Sequence, residues 1–154
     1  RQKDLAETVK RILREFRVSP SLLAIEITES AFMHDIEFTY SVLKALKETG
    51  ISISIDDFGK GFSSLSYLKR YPLSVLKIDK SFVNEMAPGN ANEALVTTTI
   101  TLASNLKMTC IAEGVETKAQ VDELKSKSCF LHQGYFYAKP CTGQEIVPLL
   151  FKSW

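Results

Sequence analysis

Charged and amide side chains stand at the ends of short apolar runs throughout this chain. Each of five apolar runs of strand length is followed by a residue that can bind a metal ion or carry a proton. If these runs are parallel strands of one sheet, their carboxyl ends lie at one edge and bring the side chains together. A group of carboxylates with one lysine is typical of a metal-dependent active site. The residues concerned are Glu26, Asp56, Asp57, Lys77, Asp79, Glu113, Glu116 and Gln133.

The adjacent pair Asp56 and Asp57 is the sharpest local signal. Neighbouring carboxylates at a strand end can bind two cations or bridge them, and Mg²⁺ and Mn²⁺ prefer such oxygen ligands. Two ions about 3.5–4 Å apart are a common arrangement in phosphate-ester hydrolysis. A solvated turn is the alternative, since Asp is frequent in turns. The carboxylates at other strand ends, Glu26 and Glu113, favour the metal site.

Lys77 and Glu26 are both flanked by apolar residues. A buried lysine needs a carboxylate partner or a lowered pKa, and a buried carboxylate needs a cation. Lys77 could orient an attacking water or neutralise a phosphate. A structural ion pair with Asp79 is the alternative.

Two further strand ends carry groups suited to acid–base chemistry. Glu113 and Glu116 are three residues apart where a strand turns into a helix, a spacing that suits a metal ligand and a general base. Gln133 either hydrogen-bonds a water or a base, or makes a structural hydrogen bond. His132 is expected to pack rather than to catalyse.

A glycine-rich segment, 59–64, follows the aspartate pair. Such turns let backbone N–H groups approach phosphates, so Gly59, Gly61 and Ser63 are candidates for contact with substrate. The spacing is not that of a P-loop, and a plain loop is the alternative. Glu29 either holds a neighbouring loop or is exposed.

Helices and strands alternate along the sequence, which predicts parallel strands joined by crossover helices. Strict alternation over 51–55 predicts a strand with Ile51, Ile53 and Ile55 facing the helices. A (β/α)8 barrel and an open doubly wound sheet both place ligands at the carboxyl ends of their strands. Asn92 is a candidate helix cap. The predicted helices cover 4–16, 35–49, 63–70, 92–106, 117–127 and 143–152, and the predicted strands 22–27, 51–55, 75–78, 108–112 and 130–133.

Composition is that of an ordinary globular domain. The chain has 154 residues, 45% hydrophobic and 24% charged, with a formal net charge of +1, which gives no electrostatic argument for nucleic-acid polymers or a membrane surface. No apolar run approaches the ~18 residues that span a bilayer. Three cysteines without zinc or redox spacing favour a reduced, cytoplasmic setting, although other domains could tether the protein to a membrane.

Five segments together resemble the EAL domain of bacterial cyclic-di-GMP phosphodiesterases. They occur in the family's order and spacing, and they cover nearly the whole chain. They are 25–30 (IEITES), 55–65 (IDDFG with GFSSL), 76–82 (LKID with Phe82), 112–117 (AEGVET) and 133–140 (QGY with Pro140).

The resemblance implies a TIM-like (β/α)8 barrel with two Mg²⁺ or Mn²⁺ ions, which opens cyclic-di-GMP to linear pGpG in second-messenger signalling. It implies a catalytic role for Lys77 in positioning the attacking water, for Glu113 as a metal-site carboxylate and general base, and for Gln133 as support. Glu29 matches the glutamate that steadies the loop after Asp57, a loop that couples the metals to homodimer contacts in the family. The implied metal-site carboxylates are Glu26, Asp56, Asp57, Glu113 and Glu116.

Departures from the family pattern shape the domain prediction. Lys60 replaces the usual Thr, and Phe130 replaces an acidic residue. The Glu-Ala-Leu motif with its Arg, and the Asn-x-Ser motif, have no counterpart in this chain. A (β/α)8 barrel typically needs about 250 residues and eight strands. We therefore expect residues 1–154 to be the C-terminal portion of a single EAL domain, an incomplete barrel of about five strands, with sensory or GGDEF-type domains possible in the parent protein.

Two main hypotheses of function follow, and a remote third is another metal-dependent barrel enzyme, such as a lyase. The first is metal-dependent hydrolysis of cyclic-di-GMP by the parent domain, because every downstream ligand position is retained. The second is a non-catalytic EAL-type module that binds cyclic-di-GMP or a protein partner, because two upstream metal ligands are absent from this sequence.

Overall fold

The computed structural model describes residues 4–29, 35–59 and 65–152, with the side chains of 65–67 left out. The helices are α1 (Leu5–Glu15), α2 (Ile36–Lys47), α3 (Leu65–Arg70), α4 (Lys80–Asn84), α5 (Ala91–Asn105), α6 (Lys118–Ser126) and α7 (Gly143–Ile146). The strands are β1 (Ala24–Thr28), β2 (Ser52–Phe58), β3 (Val75–Ile78), β4 (Thr109–Glu113) and β5 (Leu131–Gln133). Short 3-10 helices cover Pro20–Leu22 and Val147–Phe151. Thus, all five predicted strands are confirmed.

Strand order separates the two architectures that the sequence left open. In the described part of the chain, the strands form one parallel sheet in the order β1-β2-β3-β4-β5. A doubly wound sheet reverses its order at a switch point, whereas the strands of a (β/α)8 barrel follow chain order. The observed order is therefore that of a barrel segment.

Register places the predicted site residues on one face of the sheet. Glu26 pairs with Ser54, which lies two residues before Asp56. Ser54 in turn pairs with Val75, which lies two residues before Lys77. Lys77 pairs with Ile111, two residues before Glu113, and Glu113 pairs with Gln133. Register partners and alternate residues share a face. This face therefore carries Glu26, Asp56, Lys77, Glu113 and Gln133.

The opposite face forms the core under the helices. Ile53 and Leu76 are fully buried, and Ile55 and Ile78 are each 1% exposed. They pack in one cluster with residues from α2, α4, α5 and α6, such as Leu46, Val83, Val96 and Leu124. This confirms the prediction that these isoleucines face the helices.

A β-bulge at the end of β2 was not predicted. Ile55 pairs with Leu76 but Phe58 pairs with Ile78, so β2 contains one more residue than β3 over this stretch. Asp57 adopts φ +56° there, a left-handed conformation in which Asp is enriched among non-glycine residues. The bulge lets Phe58 return to the buried face beside Ile78.

Two local predictions need correction, and one helix was not predicted. Asn90 rather than Asn92 caps α5, accepting from the backbone N–H of Glu93 at 2.8 Å. The helix predicted over 143–152 changes to a 3-10 helix at Val147, because Pro148 has no backbone N–H for the α-helical bond. Helix α4 has no predicted counterpart, since five residues are too few for a helical period to show. The first two predicted residues of the helix over 63–70 lie outside the described residues.

Gly134 gives a direct test of how closely the chain after β5 packs against Val115. A Cβ there would lie 2.1 Å from the carbonyl oxygen and 2.3 Å from the nitrogen of Val115. Gly134→Ala is therefore expected to lower the free energy of unfolding by about 1–3 kcal/mol, the usual cost of overpacking. Gly143→Ala is the matched control, because nothing lies within 4 Å of its added Cβ. Equal urea-unfolding midpoints for the two variants would contradict the packing described.

Candidate active site

Lys77 lies at the centre of the site. Its Nζ is 2.6 Å from Glu113 Oε1, 2.7 Å from Glu26 Oε1 and 3.5 Å from Asp56 Oδ1. Lys77 is only 3% exposed, whereas the Glu26 side chain is 49% exposed at the rim. Carboxylates from β1, β2 and β4 thus converge on the one positive charge that β3 carries, as the register requires.

The pKa values of Lys77 and Glu113 are both raised, and each is the net result of opposing effects. Burial alone would lower the pKa of Lys77, but its hydrogen bonds with Glu113 and Glu26 and the nearby carboxylate charges raise it overall. Burial raises the pKa of Glu113, the Lys77 ammonium lowers it, and the charges of Asp56 and Glu26 raise it again, leaving a raised value. Lys77 therefore stays charged at neutral pH, and Glu113 holds a proton more readily than an exposed glutamate.

Asp56 provides the observation that bears on metal binding. Its Oδ1 is buried without a hydrogen-bond partner in the described part of the chain, and 3.5 Å to Lys77 is long for a charge-assisted bond. A buried carboxylate oxygen is costly unless a cation compensates it. No three His, Cys, Asp or Glu side chains within residues 4–29, 35–59 and 65–152 lie close enough to hold one ion as they stand. The all-oxygen donors fit a hard divalent cation, once carboxylates turn from Lys77 toward it.

Glu29 contacts the segment that follows the aspartate pair. It is 7% exposed, and its Oε2 accepts the backbone N–H of Gly59 at 3.2 Å. Of the two alternatives for Glu29, the structure supports contact with the neighbouring loop rather than exposure to solvent. Gly61, Ser63 and the Lys60 substitution lie outside the described residues.

Glu116 and Gln133 lie beside the Lys77 centre rather than in it. Both are exposed, and together with Glu113 they line a pocket of about 260 Å³ at the carboxyl ends of β4 and β5. Lys80 and Tyr135 also line this pocket, and sequence reasoning assigned them no role. Lys80 could have been found from its place two residues after the end of the strand that carries Lys77. A larger pocket of about 430 Å³ beside α1 contains none of the predicted site residues, so chemistry rather than volume identifies the site.

Two alternatives from the sequence are resolved by hydrogen bonds. Asp79 is not the partner of Lys77; its carboxylate caps α4, accepting from the N–H of Ser81 at 2.9 Å. His132 packs as expected, with Nδ1 2.7 Å from the Tyr137 hydroxyl and Nε2 2.9 Å from the Cys129 carbonyl oxygen. Since the carbonyl can only accept, Nε2 carries a proton and donates it to the Cys129 carbonyl oxygen.

Nearly the whole chain is similar to proteins of one family. The family model for the EAL domain matches residues 1–140. The signalling protein YkoW of Bacillus subtilis is 43% identical over 151 residues, which is 98% of this chain and 19% of the relative. MucR of Pseudomonas aeruginosa, a bifunctional diguanylate cyclase/cyclic di-GMP phosphodiesterase, is 40% identical over 93% of this chain and 21% of the relative. The chain thus spans about a fifth of the length of these relatives.

Solved structures extend the likeness to the fold. The MucR phosphodiesterase in complex with c-di-GMP matches with a TM-score of 0.89 and 40% identity, over 94% of this chain and 58% of that one. BlrP1 of Klebsiella pneumoniae, in a complex with manganese and cyclic di-GMP, matches with a TM-score of 0.83 and 32% identity, over 90% of this chain and 35% of that one. The predicted fold class is confirmed: the chain is a segment of the (β/α)8 barrel of these neighbours.

Within the part of the chain that the structure describes, every helix is too short or too polar to span a membrane.

Replacing Lys77 by an uncharged residue tests how much its ammonium group stabilises the surrounding carboxylates. Lys77→Met is expected to lower the free energy of unfolding at neutral pH by about 3 kcal/mol, because it leaves carboxylates without their buried partner. Lys118→Met is the matched control, since Lys118 and its ion-pair partner Asp122 are both exposed.

The pH dependence of that loss has a definite sign. Because the folded pKa of Glu113 is raised, its stabilising contribution is full below its ordinary value of 4.5 and disappears as pH rises through the folded value. Without Lys77 that folded pKa rises further, so Lys77→Met should be costlier at neutral than at mildly acidic pH. Urea unfolding at both pH values measures this, and a pH-independent loss would contradict it.

Proposed function

The chain belongs to the EAL domain family, and we propose that it supplies most of a metal-dependent site that hydrolyses cyclic-di-GMP to linear pGpG. The observation that carries the proposal is the convergence of Glu26, Asp56 and Glu113 on the Lys77 ammonium. The cyclic di-GMP phosphodiesterase activity in the name of MucR and the manganese and cyclic di-GMP in the BlrP1 complex support the substrate and the metal dependence.

The cations proposed are Mg²⁺ or Mn²⁺. Glu26, Asp56, Asp57 and Glu113 would hold them, with Glu116 at the neighbouring pocket binding directly or through water. Asp56 Oδ1, which is buried and accepts no hydrogen bond in the described part of the chain, supports this assignment. Bound divalent cations supply Lewis-acid stabilisation of the phosphate and a water of lowered pKa.

Side chains of the protein accept the proton of the attacking water and compensate the charge of the phosphate. Water oxygen bonds to phosphorus and the bond from phosphorus to the ribose 3′ oxygen breaks. The leaving 3′ oxygen takes a proton from solvent, so the ring opens to a 5′-phosphate and a 3′-hydroxyl. Glu113, with its raised pKa, accepts the proton of the attacking water. The Lys77 ammonium orients that water and offsets the phosphate charge. Gln133, in the same pocket as Glu113, is a supporting hydrogen-bond partner. Gly59, together with Gly61 and Ser63 from outside the described residues, is proposed to contact the substrate.

Glu113→Gln tests the general base. The amide keeps the shape but cannot accept the proton, so kcat for pGpG formation is expected to fall by about 10²–10⁴-fold. Asp122→Asn, an exposed carboxylate change on α6, is the control and should retain wild-type kcat. A Glu113→Gln enzyme with wild-type kcat would remove Glu113 from the chemistry.

Metal removal separates the two hypotheses of function. The full-length protein should produce pGpG from cyclic-di-GMP with Mg²⁺ or Mn²⁺, lose that activity in EDTA, and regain it when the metal returns. Chromatography of the nucleotide products measures this. Tight calorimetric binding of cyclic-di-GMP without turnover under every metal condition would support the non-catalytic module and refute the enzyme.

A further inference from the structure

Helix α4 (Lys80–Asn84) lies against the chain on both sides of the strand that carries Lys77. On one side, Gly59 follows the aspartate pair; a Cβ there would lie 2.7 Å from Phe82 Cε2 and 3.2 Å from Phe82 Cζ. On the other side, Gly114 follows Glu113; a Cβ there would lie 2.4 Å from Lys80 Cβ. Both glycines also have positive φ, +106° and +67°. The backbone after each set of site carboxylates therefore lies directly on this one short helix.

The position of α4 is itself set by neighbouring groups. The buried Asp79 carboxylate caps its first turn, two residues after Lys77. Val83 is fully buried and anchors the helix in the core. At its other end, Gln120 Nε2 donates to the Val83 carbonyl oxygen at 3.4 Å, and Gln120 lies in α6, directly after the Glu113–Glu116 turn. Helix α4 is thereby tied to β3 and to the segment after β4.

Gly59 is held from two sides. Its N–H donates to Glu29 Oε2 at 3.2 Å, while the Phe82 ring contacts it from α4. The hydrogen bond fixes the direction of the amide, and the ring limits how far the backbone can move toward α4. Gly59 lies two residues after Asp57, the bulged residue at φ +56°. Displacement of Gly59 would therefore change the conformation that presents Asp56 and Asp57.

We propose that Phe82 is a positioning residue, and that α4 acts as a strut that sets the separation between the Asp56–Asp57 turn and Glu113. Phe82 touches none of the site carboxylates in the contacts described, so it acts through Gly59. The inference rests on the proposed function where it concerns metal binding. Partners of metal ligands typically change metal affinity or activity by about 10–100-fold when they are removed.

Three variants of the full-length protein test the strut. Phe82→Ala removes the ring, and Phe82→Leu keeps part of its volume. Val96→Ala is the matched control: Val96 is fully buried in the same core but lies on α5 rather than α4, and it is not the residue that Gly59 rests on. Hydrogen exchange of the Gly59 amide reports directly whether Phe82 holds Gly59 in place, and calorimetry with Mn²⁺ alone reports metal affinity.

We expect faster exchange at Gly59 and an Mn²⁺ affinity lowered by about tenfold or more in Phe82→Ala, with Phe82→Leu intermediate. Val96→Ala should lower the melting temperature while its Gly59 exchange and Mn²⁺ affinity stay within about twofold of wild type. Wild-type exchange at Gly59 in Phe82→Ala, or equal effects of Val96→Ala, would overturn the proposal. If the wild-type protein binds no Mn²⁺, the proposed function fails, and Gly59 exchange still decides whether Phe82 holds the turn.

Discussion

One buried ammonium group organises this site. Lys77 cannot be buried without carboxylates around it, and the carboxylates cannot approach each other without a cation between them. The mutual requirement is met because β1, β2, β3 and β4 are parallel and in a register that brings Glu26, Asp56 and Glu113 to Lys77. A shift of one residue in any strand would turn its site residue to the helix side, so the chemistry depends on the same pairing that builds the core.

The second constraint is how closely the backbone packs at the rim. Gly59, Gly114 and Gly134 each lie where a Cβ would come within 3 Å of a neighbouring group. Two of these contacts are with α4 and one is with Val115, directly after the Glu113–Gly114 turn. These approaches place the carboxylate-bearing turns without using any polar group that the site needs. This explains why glycines cluster beside the candidate ligands as well as in the loop.

Much of this site could be predicted from the sequence because its signals are local. Alternation over Ile51–Ile55 gave the strand, and the carboxylates at strand ends gave the rim. The partners of Lys77 were harder to predict from the sequence. Asp79 is nearer in sequence than Glu26 or Glu113, but its carboxylate caps α4. The bulge at Asp57 depends on pairing between two strands, and α4 is too short to show a period. These features come from tertiary contacts that no single segment encodes.

The central claim is that the carboxylates around Lys77 form a divalent metal site. Anomalous diffraction from crystals of the full-length protein soaked with Mn²⁺ tests it most directly. We expect anomalous peaks within coordination distance of Glu26, Asp56 and Glu113 oxygens, with Lys77 displaced from at least one of them. A fully occupied Mn²⁺ position elsewhere, with no peak at this rim, would contradict the account.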